Sequence, residues 1–284
     1  MLVAGFFFAA MAMFVKAGAD HFGAAEMAFY RSLATWLVAL AVLRATRKTF
    51  RSDYTGTHLL RGIVGAFSLV GYFYAISKLP VATAQTLNYT SPLFLAITTT
   101  VVLGERFSPW LVAAVVGGFV GVGMLLQPSF AGGTEGPALV GLFSGVLAAW
   151  AYLAVRTLGR LGEPDWRVVF WFGLVSTGVC AIWQVTTSSF HAIRWDNAWI
   201  LVGLGASGTL GQVCMTRAYR MGNTLVVGAY SYSTIVFAMA FGMVLWSDRL
   251  TVLEWAGIAV IVASGLIAMR VEKKEQVEEA GFEG

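Results

Sequence analysis

Charge is what this chain has least of. Acidic and basic side chains make up 12% of its 284 residues, about half the share of a water-soluble domain. That scarcity excludes a fully solvated surface. No polar stretch is long enough for an extramembrane enzyme, a signalling domain or a nucleotide-binding unit. Cysteine is nearly missing as well. Cys180 and Cys214 both fall in apolar runs, which argues against a disulfide framework and for two small apolar side chains. The three histidines, His21, His58 and His191, sit near separate loops, with no Cys/His/Asp spacing suited to a metal. No Asp, Glu or His lies deep in an apolar run. The nucleophile–base or carboxylate pairs of intramembrane hydrolysis are therefore lacking, and the chain reads as a non-enzyme without cofactor. Gly203-Leu-Gly205-Ala-Ser-Gly208 matches a dinucleotide fingerprint, but no acidic residue follows about 20 residues on. It reads instead as a small-residue face for close helix packing.

What the chain has is apolar length. Mean hydropathy is +0.73, and the apolar runs are long enough to cross a hydrocarbon layer of about 30 Å as helices. Runs and breaks predict ten spans, near 1–17, 26–43, 59–77, 81–103 and 109–127, then 137–156, 167–187, 198–216, 223–246 and 251–270. The apolar N-terminus lacks the positive region of a signal peptide and reads as the first span. With both ends placed in the cytoplasm, the inside segments hold fourteen Lys and Arg, and the outside segments four: Lys16, Lys78, Arg194 and Arg249. That is a positive-inside bias. Residues 271–284, VEKKEQVEEAGFEG, read as a charged, irregular cytoplasmic tail.

Shifted by 143 residues, the halves align without insertion across about 65 residues: YFYAISKLPVATAQTLNYTSPLF (72–94) falls on MTRAYRMGNTLVVGAYSYSTIVF (215–237), and Tyr89 meets Tyr232. Each half holds five spans, an odd number, so the halves are expected to lie inverted in the membrane, as in many secondary transporters. The expected fold is an all-α membrane protein of ten transmembrane helices in two inverted five-helix repeats, 1–128 and 136–270.

On FYAISKLPVATAQTLNYTSPLF with LGERFS, on EMAFYRSL opening the second span and on DRLT late in the second half, both halves resemble the EamA-type repeat of the drug/metabolite transporter superfamily. The resemblance covers nearly all of residues 1–270. It implies a ten-helix exporter or exchanger of small organic metabolites, with a central cavity lined mainly by the first, third, fourth, sixth, eighth and ninth helices.

Polar residues inside the apolar runs are the candidate site. Gln85, Asn88, Tyr89 and Pro92 stand at i, i+3, i+4 and i+7, on one helical face. Turned to lipid, each unpartnered amide would cost a few kcal/mol, so the stripe faces protein or water. Two roles stay open for it, a solute cavity or interhelical hydrogen bonding. Tyr232 is the stripe's counterpart in the second half. Trp150 and Tyr152 on the sixth span and Gln212 on the eighth lie at cavity depth. Pro92 removes a backbone hydrogen bond and marks a hinge or a fixed kink. Arg31 and Glu26 lie near the outer end of the second span. Arg31 either snorkels, pairs with Glu26 or meets a solute carboxylate, with Glu26 a gating candidate.

These readings predict a secondary transporter of small, partly apolar metabolites such as amino acids. It would work by alternating access in the inner membrane, as a monomer or homodimer, with no nucleic-acid partner. The alternative on the same fold is an exchanger of phosphorylated metabolites or nucleotide-sugar-like solutes. That needs several basic residues in the cavity, and only Arg31 and Lys16 come near. A helix-bundle channel is the third reading.

Overall fold

The computed structural model describes residues 1–79, 81–104, 108–126, 135–246 and 251–282. The Glu105-Arg106 and Asp248-Arg249 pairs lie outside them. Among the described residues all regular structure is helical, in twelve segments. The first half holds α1 (Leu2–Gly18), α2 (Ala24–Ala45), α3 (Thr55–Lys78), α4 (Val81–Asn88), α5 (Ser91–Leu103) and α6 (Pro109–Leu126). The second holds α7 (Glu135–Arg160), α8 (Asp165–Thr187), α9 (Trp195–Met221), α10 (Thr224–Ser231), α11 (Ser233–Trp246) and α12 (Val252–Phe282). Five of these, α2, α3, α7, α8 and α9, are long and apolar enough to cross a membrane.

The pairs α4/α5 and α10/α11 each divide one expected span, so the twelve segments correspond to ten helices. The first break falls at Tyr89-Thr90, one turn before Pro92. Proline has no N–H to give the Asn88 carbonyl, and its ring crowds that carbonyl. The second break, at Tyr232, has no proline. There the Ser231 hydroxyl donates to the Gly228 carbonyl at 2.6 Å and Ser233 to Tyr230 at 2.7 Å. Hydroxyls bonded back onto the preceding turn compete with the helix ladder.

Two helices run past the apolar stretches expected for them. α3 begins at Thr55 and α7 reaches Arg160. The expected irregular tail is a correction of the same kind: α12 continues to Phe282. Glu, Lys, Gln, Val and Ala fill that stretch, and most are good helix formers with no proline to stop the turn.

Packing follows the 143-residue offset. α2 packs on α8 and α6 on α12, each helix on its own counterpart. α1 packs on α9 as its counterpart α7 packs on α3, and α4 and α5 meet α7 as α10 and α11 meet α1. Of the fingerprint-like glycines of α9, Gly203 faces α1, whereas Gly205 and Gly208 face Ala34 and Arg31 of α2; Gly211, one turn on, faces α1 again. A Cβ at Gly203 would overlap the Phe14 ring, and one at Gly211 would stand 2.8 Å from Phe8. They are there for close approach, as the sequence reading expected.

Candidate functional site

At the centre of the bundle lies a small cavity of about 90 Å³. α1, α2, α3, α7, α8, α9 and the α4/α5 break all contribute to its wall. Its polar lining includes Arg31, Arg61, Ser68, Tyr72, Tyr152 and Gln212, with Asn88 and Tyr89 at the break. The apolar remainder includes Phe8, Met11, Met215 and Phe172.

Two arginines dominate the electrostatics. Arg31 and Arg61 are each 2% exposed. Arg31 lies about 10 Å into α2 at the helical rise of 1.5 Å per residue. Its Nη2 donates to Gln212 Oε1 at 3.1 Å and, more weakly, to the Gly208 carbonyl at 3.4 Å. Both guanidiniums lie against one ring: the Phe172 centroid is 4.0 Å from Cζ of Arg61 and 5.3 Å from Cζ of Arg31. Nε and Nη1 of both arginines have no hydrogen-bond partner, and among the described residues neither forms a salt bridge. An arginine at mid-membrane costs about 2.5–3.5 kcal/mol on insertion scales, whereas a desolvated cation–π contact returns about 2 kcal/mol. Two cations sharing a single ring and one glutamine leave the cavity strongly positive.

Glycine makes room for both. At Gly65, one turn beyond Arg61 on α3, a Cβ would collide with Arg61 Nη1 and lie 2.9 Å from Phe172; at Gly208 on α9 it would lie 2.8 Å from Arg31 Cγ. Gly65 and Gly208 occupy the same position of the two halves, 143 residues apart.

The candidates read from sequence separate into groups. Asn88, Tyr89, Tyr152, Gln212 and Arg31 come together on the cavity. Asn88 also donates to Ser144 Oγ at 3.0 Å, so it serves α7 and the cavity at once. Tyr152 stacks on Tyr219, centroids 4.8 Å apart. Gln85, Trp150 and Tyr232 are not among the lining residues. Gln85 is buried with its amide nitrogen unpartnered. Trp150 is 42% exposed on α7. Tyr232 is fully buried, donates to the Val115 carbonyl at 3.3 Å and faces Tyr89 at 6.4 Å between ring centres. Pro92 is buried and packs where Gly228 of α10 passes.

Arg31 neither snorkels nor pairs with Glu26. The Glu26 carboxylate, fully buried, takes the His191 backbone N–H at 2.9 Å and meets His191 Nδ1 at 2.6 Å. It thereby ties the start of α2 to the loop between α8 and α9. Arg61 is the residue the sequence reading missed, counted there among cytoplasmic charges. Its signal was a stripe: Arg61, Gly65, Ser68 and Tyr72 stand at i, i+4, i+7 and i+11, one face of α3.

At the opposite end, Glu163 follows α7 and gathers three partners. It accepts from Ser52 at 2.7 Å and from Arg167 at 3.0 Å, and stands 3.4 Å from His58. Burial alone would push its carboxyl up; the Ser52 and Arg167 hydrogen bonds, with the Arg167 and His58 charges, hold it below the usual carboxylate range.

Known proteins agree with this architecture. The chain is 32% identical over 277 residues to the pseudopaline exporter CntI of Pseudomonas aeruginosa, covering 96% of this chain and 95% of that one. It is 24% identical to a riboflavin transporter of Brucella anthropi, over 86% and 87% of the two chains. To human solute carrier family 35 member G1 it is 25% identical, over 93% and 76%. A protein of known crystal structure superposes with a TM-score of 0.79 at 19% identity, covering 95% of this chain and 96% of that one. The EamA-like transporter family matches twice, over residues 1–127 and 136–270. The chain is therefore a member of the EamA-like transporter family, a multi-pass membrane protein of the drug/metabolite transporter superfamily.

Proposed function

We propose that this chain is a secondary transporter that moves a small organic metabolite, of amino-acid size and character, across the cytoplasmic membrane by alternating access. The observation that carries the reading is the central cavity, a buried polar space inside a membrane bundle and lined from both matched halves. Relatives named for pseudopaline export and riboflavin transport support a metabolite as cargo. The halves 1–128 and 136–270 are read as inverted repeats because each holds five spans. Supporting this are the packing pairs that interchange with the halves and the helix breaks at one offset.

In this account Arg31, Asn88, Tyr89, Tyr152 and Gln212 contact the solute. Gln85 and Tyr232 brace the broken helices behind it, Pro92 is the hinge, and Trp150 faces outward. Glu26, with His191, is the outer latch. Both termini lie in the cytoplasm. A second reading, exchange of phosphorylated metabolites, gains from Arg61, which gives the cavity a second arginine. The test is a comparison of metabolites in cells and medium with and without the chain. One solute or a narrow group should shift between the compartments. No shift, together with no uptake of candidate solutes by proteoliposomes, would overturn the reading.

A further inference from the structure

We infer that Arg31 and Arg61 form an oxyanion-recognition site, and that the solute carried is an organic dianion, with two carboxylates or a phosphate ester. The inference rests on the central cavity being the solute's site. Both guanidiniums are 2% exposed, line one cavity and present Nε and Nη1 without partners. The unpartnered Nε and Nη1 stand on different edges of each planar guanidinium, so they offer separate charge-assisted N–H donors to the oxygens of a carboxylate or phosphate, while Arg31 Nη2 is already given to Gln212 and Gly208. An arginine kept only for packing would be expected to carry a permanent acidic partner, because a buried charge is tolerated when paired. Among the described residues none of the acids takes that place. Glu26 is held by His191, and Glu163 by Ser52 and Arg167.

Two further features fit a dianion. Gly65 and Gly208, at equivalent positions, each clear the space in which one arginine lies. The arginines themselves have no counterparts, since Leu174 and Leu204 stand at the matching positions of the second half. The repeat thus supplies the room twice, and the first half supplies both charges. The carbon skeleton would rest against Phe8, Met11 and Met215, while Tyr72 and Tyr152 offer hydroxyls to the remaining oxygens.

The test uses the purified full-length chain in detergent and follows its melting temperature against added glutarate, succinate, glycerol 3-phosphate and the neutral isostere glutaramide. At least one of the dianions should stabilise the protein saturably and glutaramide should not. Response to the carboxylates alone or to the phosphate ester alone identifies the source of the charge, and each supports the site. Arg61→Gln should melt above the unmodified chain, having lost an uncompensated charge, while its apparent affinity for the dianion falls at least tenfold. Arg61→Lys, which keeps the charge but not the fork, should fall between them. Gly65→Ala, which displaces the guanidinium, should weaken the dianion without touching it. Equal stabilisation by glutaramide, no saturable response to any dianion, or Arg61→Gln that loses stability and keeps affinity would each overturn the inference. Its failure is distinguishable from failure of the transport reading. A neutral solute carried equally well by Arg61→Gln removes the dianion alone, whereas a dianion that stabilises the protein but never enters proteoliposomes removes transport alone.

Discussion

Gln212 is the clearest place to test the electrostatics residue by residue, because its amide oxygen already lies 3.1 Å from Arg31 Nη2. Gln212→Glu would give Arg31 a carboxylate of nearly the same shape. Supplying a buried partner is expected to stabilise the protein by about 1.5–3 kcal/mol, the range for hydrogen bonds to charged groups. It would also occupy the charge a solute needs, so transport should fall while the melting temperature rises. A variant that melts lower, or one that transports normally, would contradict this. A second contrast concerns the tyrosines. Tyr232→Phe removes the bond to the Val115 carbonyl and should cost about 0.5–1.5 kcal/mol with solute preference unchanged. Tyr89→Phe, on the cavity wall, should change preference with little loss of stability. Competition assays at equal protein check both. Gln212 and Arg31 were legible in the sequence because a polar group in an apolar run is rare. Arg61 was not, because near the end of an apolar run it looks like any positive-inside charge. Only its burial shows otherwise, and with it turned inward the inside count falls from fourteen to thirteen against four.

Among helices, the α4/α5 break is what brings Asn88 and Tyr89 to the cavity wall, since backbone freed from the ladder is tolerated where it faces protein or a cavity. The sequence foretold the first break through Pro92 but not the second, where serine back-bonds act in place of a ring. Periodicity could place the stripe on one face, yet it could not say that Gln85 and Tyr232 sit behind the wall. That depends on how far each helix turns at its break. The Glu163 contact between the α2–α3 connection and α8 sets a pH dependence. Glu163 is held below its ordinary range in the folded protein, so it binds protons more weakly there than in the unfolded chain. Its contribution is therefore complete above the ordinary carboxylate range and lost as pH falls through the depressed value. Thermal unfolding in detergent should weaken towards acid pH, and Glu163→Gln should remove part of that slope while lowering stability at neutral pH by about 1–3 kcal/mol. An unchanged acid slope in the variant would place the titration elsewhere.

For the whole molecule, the account joins a duplicated scaffold to a site that is not duplicated. Helix counterparts, breaks and the two roomy glycines repeat at 143 residues, while Arg31 and Arg61 occur in one half. The offset was readable because insertions are absent. The cavity lining was only partly so: α2 and α8 enter it through the long Arg31 side chain and the Phe172 ring, and the α10/α11 pair implied by family resemblance does not appear in its wall. Orientation is open to a reporter fused after Lys274, which should be cytoplasmic, with one inserted at Gly133 external. The proposed transport requires that the cavity carry one solute at a time through alternating access. Its most direct test is counterflow in proteoliposomes holding the purified chain, preloaded with the solute that metabolite comparison identifies. The account predicts uptake of labelled external solute that saturates with concentration, is accelerated by unlabelled solute inside and is lost in Arg61→Gln protein that still folds. Uptake that rises linearly without saturation and ignores the internal solute would contradict it and describe a channel instead.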